Sequence, residues 1–248
     1  MMNITQIWLS TRQQDKRPEL PEPIVDAMDS VAECLCLSGD SGSEYRFYDN
    51  EGVEKFLKAN YDSKVFDSYN KLQSLAYRCD LARYCILYKL GGWYVDCGIT
   101  WIQPINVPEH VKLIAFRSVG RYAMNGWSCD NGVIYAEAGH PVLECAINNV
   151  IANVDNEYYG MTPLCPTGPS LWGRSIAECA TETHQGLFFG DNMELTPDHP
   201  IKNKSFVLPD GTIIAECKRA HGGDLRALGA KDTNNYNEIW HGKRVYSR

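Results

Sequence analysis

The sequence predicts an α/β protein built as one domain, and three observations carry that prediction. Residues 75–105 hold a helix, a stop and a strand in fixed order: Leu75, Cys79, Ala82, Ile86 and Leu90 recur at helical spacing, Gly91-Gly92 follows, and residues 93–95 form a short apolar strand ending at Asp96. Glycine ends the helix there because it takes a positive φ without steric penalty. Strand-like and helix-like runs also alternate along most of the chain, and 248 residues suffice to bury a sizeable core in one unit. In open α/β sheets ligands bind beyond the carboxyl ends of strands, so Asp96 stands where a site belongs. Asp80 and Arg83, three residues apart, share one face of the helix that feeds it.

Taken in order, residues 3–10 read as the first strand, and residues 18–23 as a proline-rich loop. Residues 24–37 carry helical spacing through Val25, Met28, Val31, Ala32 and Leu35. A turn over 39–43 leads to an alternating strand at 44–48, which runs into Asp49-Asn50, both good helix N-caps, and a short helix at 51–59. Residues 66–72 lead into the central stretch. Beyond Asp96 the chain is extended as far as Pro108, followed by a strand at 111–119, a flexible loop at 120–129 and a strand at 133–135. Asn131 before Gly132 suits a turn. Gly139-His140-Pro141 opens a helix at 142–154, and Thr167-Gly168-Pro169 opens another at 170–180, with a threonine cap and proline in the first turn. Residues 186–189 and 204–208 read as strands, and Pro209-Asp210-Gly211 turns the second into 212–217. The tail, 218–248, has little periodicity; Tyr236, Trp240 and Tyr246 either anchor it or sit on an interface.

A net charge of −7 argues against nucleic acid as a partner but allows a local basic patch at the inner face of a membrane. No apolar run is long enough to span a bilayer, and the first ten residues lack the basic and apolar regions of a signal peptide. The ten cysteines form no CxxC pair, and several fall inside apolar periodic runs. They read as small buried hydrophobes of a reducing, cytoplasmic compartment.

The central stretch resembles the DXD region of the glycosyltransferase-A (GT-A) enzymes, most closely glycosyltransferase family 32 with its capsule and lipopolysaccharide sugar transferases and the large clostridial glucosylating toxins. Their pattern, (S)D-x-x-R, an apolar helix, then GG-x-Y-x-D-x-D, is met by Cys79, Asp80, Arg83, Gly91, Gly92, Tyr94, Asp96 and Gly98. It departs at Cys79, usually a small Ser or Ala, and at Gly98, which replaces the second Asp. The resemblance implies a GT-A fold with a mixed central sheet, a nucleotide-sugar donor such as a UDP-hexose, and a retaining hexosyl transfer. The acceptor it implies is a saccharide or lipid-linked saccharide of a cell-surface polysaccharide.

The resemblance also distributes roles. Trp8, by itself a core tryptophan near a strand end, becomes the platform that stacks on the base. Tyr94 joins the donor site, and Asn131 becomes a contact to the sugar. Asp130, Thr167 and Gly168 line the acceptor pocket. Asp80 accepts from sugar hydroxyls, Arg83 offers a planar fork to phosphate or sugar oxygens, and Asp96 holds ribose and a Mn²⁺ or Mg²⁺ ion. The tail closes the donor site and brings His221 as a metal ligand. Because Gly98 has no side chain, three arrangements stay open. The metal is held by Asp96 with His221 or with Asp130, a basic side chain replaces it, or the chain is an inactive, donor-binding relative. A toxin-like transferase acting on protein is the further alternative.

Overall fold

The computed structural model describes residues 2–11, 20–36, 43–120, 125–183, 186–195, 204–217, 226 and 229–247. Nine strands form one mixed sheet in the order β2-β1-β3-β6-β5-β7-β8-β9-β4. They are β1 (Asn3–Ile7), β2 (Glu44–Tyr48), β3 (Gly92–Val95), β4 (Ile99–Trp101), β5 (Leu113–Ser118), β6 (Cys129–Ala136), β7 (Leu187–Glu194), β8 (Lys204–Val207) and β9 (Ile213–Cys217). β1 runs parallel to β2 and β3, and β5 parallel to β7; the other neighbours are antiparallel. The sheet is the mixed one expected.

Period-two alternation builds three layers. On one face Tyr94, Ile134, Leu113 and Ala115 pack against α2 (Asn50–Asn60), α3 (Ser63–Lys71), α4 (Leu75–Leu90), α5 (Pro141–Asp155) and α6 (Pro169–Thr183). On the other, Trp93, Val95, Val133, Ile114 and Phe116 pack against α1 (Glu22–Cys36) and the β8–β9 hairpin. Tyr94 and α4 thus face each other across the layer that carries Arg83.

The structure departs from the sequence reading in four places. α4 is not a one-sided helix: ten of its sixteen residues are buried, with 81–87 buried without interruption, so its apolar spacing marks a helix enclosed by α2, α5 and β3. Residues 63–71, read as a lead-in, form α3, capped by the Asp62 carboxylate accepting from Val65 N at 3.2 Å. Residues 130–132 are not a turn but the second to fourth residues of β6, held antiparallel to β5. The tail is not loose beyond 229. α7 (Tyr236–His241) docks on α4, Val245 is fully buried, and Tyr246 bridges to Leu72.

Gly91-Gly92 has a tighter reason than helix termination. A Cβ on Gly92 would lie 2.0 Å from the Asn3 carbonyl oxygen, inside β1. Glycine is what lets the strand carrying Tyr94 and Asp96 enter the sheet beside β1.

Candidate active site

The site forms where β1 and β3 end and β6 begins, against α4 and the start of α6. Asp80, Arg83 and Tyr84 stand on α4 at i, i+3 and i+4, the spacing that aligns side chains on one helical face. Asp80 is buried. Its Oδ1 accepts from Asn131 Nδ2 at 2.9 Å and pairs with Arg83 Nη2 at 3.1 Å, and its Oδ2 accepts from the Thr167 hydroxyl at 2.7 Å. Arg83, also buried, reaches Asp96 Oδ1 with Nη1 at 3.2 Å, donates to the Asn131 carbonyl, and lies over the Tyr94 ring, 4.5 Å from its centroid. Tyr94 in turn donates its hydroxyl to Asp96 Oδ1 at 2.6 Å and meets the Cys79 sulfur at 3.3 Å. One guanidinium therefore links the buried carboxylate to the outer one, and Asp96 remains 42% exposed.

These contacts revise several expectations. Arg83 lies in the cleft beside Asp96 as anticipated, but both arms of its fork are already occupied, so it orders the two carboxylates. Asn131 is a strand residue whose carboxamide donates to Asp80 and to the Tyr84 hydroxyl, the latter at 2.8 Å. The Thr167 hydroxyl is engaged by Asp80, and Gly168 sits against the same carboxylate, where a Cβ would lie 3.4 Å from Asp80 Oδ2. Tyr84, not singled out from the sequence, ties the group together by donating to the Thr167 carbonyl at 2.9 Å. Its place four residues after Asp80 was the available signal.

Asp130 stands beside Asp96. A Cβ on Gly132 would lie 2.8 Å from Asp96 Oδ2 and 3.1 Å from Asp130 Oδ1, so the glycine keeps open the space between two carboxylates. Asp130 Oδ1 accepts from Gly132 N at 2.8 Å. Two hard oxygen donors with an open approach fit Mg²⁺ or Mn²⁺, ions that take few protein ligands when diphosphate oxygens and water complete the shell. Among the described residues no three His, Cys, Asp or Glu side chains converge as a metal cluster. His221 lies outside the described residues. Gly98 has only Ile24 Cδ1, 3.9 Å away, near the position of a Cβ, so a side chain fits there.

Trp8 lies just past β1 and is 6% exposed, packed with Ile24, Met28, Cys97 and Ala230. The tail crosses close by, with Thr11 N donating to the Asp232 carbonyl at 2.7 Å.

The electrostatics follow from burial. Desolvation raises the Asp80 carboxyl above its usual range in spite of Arg83 and the Thr167 hydroxyl. Desolvation likewise raises Asp130, with the Asp96 charge adding to it and the Gly132 amide opposing. Burial by itself would lower Arg83, but Asp96, Tyr94, Cys79 and Asp80 outweigh it and hold the guanidinium well above its ordinary value. Burial pushes the Cys79 thiol up to about 11, against the pull of Arg83, so it is a neutral neighbour.

The fold is of the GT-A type. The fold is similar to the UDP-bound glycosyltransferase domain from the YGT toxin, with a TM-score of 0.52 at 9% identity, covering 75% of this chain and 78% of that one. In sequence, residues 17–114 match the family model described as the glycosyltransferase sugar-binding region containing the DXD motif. An uncharacterized glycosyltransferase of Acanthamoeba polyphaga mimivirus is 29% identical over 58% of this chain. Inositol phosphoceramide mannosyltransferase 3 of Schizosaccharomyces pombe is 30% identical over 62% of it. The matches span 55% and 40% of those relatives' own lengths. Over residues 17–114 the chain is thus similar to DXD-motif glycosyltransferases.

Proposed function

We propose that this protein is a retaining glycosyltransferase that moves a hexose from a nucleotide sugar, most simply a UDP-sugar, to a saccharide or lipid-linked saccharide in cell-surface polysaccharide synthesis on the cytoplasmic side of a membrane. The observation that carries the reading is the exposed Asp96 carboxylate, fixed at the end of β3 by Arg83 and Tyr94 and facing Asp130 across the Gly132 cradle. The name of the mannosyltransferase relative makes a lipid-linked cyclitol a second acceptor class.

In this reading the bond between the anomeric carbon and the diphosphate oxygen breaks, the acceptor oxygen takes the carbon on the same face, and its proton passes to the leaving diphosphate. The transition state is oxocarbenium-like. A divalent ion, when bound, neutralises charge on the leaving diphosphate. Asp96 and Asp130 would hold it, with Asp130 standing in for the carboxylate missing at Gly98. Asp80 is closed in by three donors, which suits positioning and not attack on the anomeric carbon. Arg83 bridges Asp80 and Asp96 and fixes their positions. Trp8 is the base-facing ring, and with little of it exposed, stacking requires the chain near Ala230 to give way.

The test is a panel of UDP-glucose, UDP-galactose, UDP-N-acetylglucosamine and GDP-mannose, read by thermal shift and donor hydrolysis with and without Mn²⁺. One donor should stabilise the protein and be hydrolysed only with the metal. Calorimetric titration of Mn²⁺ in the presence of UDP should weaken about tenfold or more in Asp130→Asn, because affinity follows ligand charge, and tighten in Gly98→Asp. Donor hydrolysis undiminished by chelator, or no nucleotide stabilising the protein, sinks the proposal.

A further inference from the structure

Trp127 is the exposed tryptophan of this chain, at 54%, whereas the other five are buried or half-buried. An indole left in water normally hangs from a yielding loop, but the backbone that carries this one is tied down. Asn125 donates from Nδ2 to the Ser170 hydroxyl at 3.3 Å, Ser128 donates to Asn125 Oδ1 at 2.9 Å, and the Ser128 and Ser170 hydroxyls meet at 3.4 Å. Ser118 N donates to the Ser128 carbonyl at 2.9 Å. The backbone of Trp127 also rests directly on α6: a Cβ on Gly173 would lie 1.6 Å from the Trp127 carbonyl oxygen, so only glycine admits the approach. Ordering a loop to hold an apolar ring in solvent costs free energy.

Its position says what the ring is for. Trp127 precedes Asn131 by four residues, and Asn131 donates to Asp80. Ser170, which pins the loop, follows Thr167 by three, and Thr167 donates to the same carboxylate. The segment that brings Asn131 to Asp80 therefore carries Trp127, and the segment that brings Thr167 there holds its backbone, whereas Trp8 packs with α1 and Ala230.

We propose that Trp127 is the acceptor platform, stacking on the C–H face of a six-membered polyol ring, a pyranose or a cyclitol, whose hydroxyl is delivered toward the donor site. A flat, rigid ring suits that task because it contributes a large contact area while losing little conformational entropy on binding. The neighbouring Asn125 carboxamide and Ser128 and Ser170 hydroxyls offer hydrogen bonds at the rim. This rests on the glycosyltransferase reading above, and the two fail separately in the following test.

Tryptophan fluorescence and its quenching by iodide are followed during titration with methyl glucoside, methyl galactoside, methyl mannoside and myo-inositol, with UDP present. At least one of these should shield Trp127 saturably in the wild type. Binding to the variants, which lack the reporter ring, is read by calorimetric titration: Trp127→Phe should keep it, and Trp127→Ala should weaken it about tenfold or more, the scale of truncating an aromatic anchor. Phe188→Ala, which removes an exposed ring at the other end of the sheet, should change nothing. Glycoside against myo-inositol separates the two ring sources. Stabilisation by UDP should be equal in all variants; its absence in the wild type counts against the glycosyltransferase reading, while the quenching result still judges Trp127. The proposal is overturned if no member of the panel shields the ring, if Trp127→Ala binds as the wild type does, or if only phosphatidylcholine vesicles lacking sugar headgroups shield it.

Discussion

At the scale of single residues, Arg83 is the centre of gravity of the site. It is a buried cation between two carboxylates, at 3.1 Å from Asp80 and 3.2 Å from Asp96, and stacked on Tyr94. Removing one partner of such an arrangement leaves buried charge uncompensated. Arg83→Ala should therefore lose about 3–5 kcal/mol of stability together with donor binding. Arg83→Lys should recover little of either, because an ammonium is a single point charge and cannot span both carboxylates while lying flat on a ring. Urea unfolding and UDP calorimetry read the two losses; a lysine variant with near wild-type values in both would remove the bridging role. Asp80 and Arg83 were legible from their spacing, as was Tyr84 in principle. The partners Asn131 and Thr167 were visible as residue types, but not as donors to Asp80, because they lie 51 and 87 positions away along the chain.

At the scale of elements, caps and close approaches hold the frame. α5 begins at Pro141 with His140 as its cap: the Val142 amide donates to the imidazole Nδ1 at 3.3 Å, which requires a neutral ring there. Burial holds this imidazole below its ordinary value, with Glu137 opposing. A histidine lowered on folding contributes stability above its unfolded value of 6.5 and loses it as pH falls through the lower folded value. His140→Asn keeps a good cap that does not titrate. The stability difference between wild type and this variant should shift by about 1 kcal/mol in favour of asparagine between about pH 8 and about pH 5, the scale of one N-cap. A difference that stays constant over that range would show that the ring does not cap as a neutral acceptor. The start of this helix was legible from Gly139-His140-Pro141. α3 was not, because nine residues with a single carboxylate cap give a weak local signal, and its packing against α5 does the rest.

At the scale of the molecule, the end of the tail is part of the core. Gln73 N donates to the Val245 carbonyl at 2.9 Å, Ser247 N to the Lys71 carbonyl at 2.7 Å, and Trp240 Nε1 to the Tyr159 carbonyl at 2.9 Å. The ring of Tyr236 packs on that of Tyr77, 6.0 Å between centroids. Deleting residues 235–248 should cost more than about 3 kcal/mol, the scale of removing one large core side chain, and should do so without any nucleotide present. An unchanged thermal midpoint for the shortened protein would assign these residues to donor-site closure alone. The sequence could not show this, since the tail residues that contact the core are spread over a segment with no periodicity, and their partners come from 71–77 and 158–159.

By itself the sequence determined the α/β class, the helix–GG–strand unit and the carboxylate at its end, because those features are local: helical period, glycine φ and strand alternation act within a few residues of each other. Only the tertiary structure decided which groups meet. The β6 register brings Asp130 to Asp96 across Gly132 and Asn131 to Asp80, while the start of α6 brings Thr167 to Asp80 and pins the loop that carries Trp127. Pairings between segments so far apart depend on the sheet order and on how closely glycine lets backbones approach, and neither is written in the local pattern of any one segment.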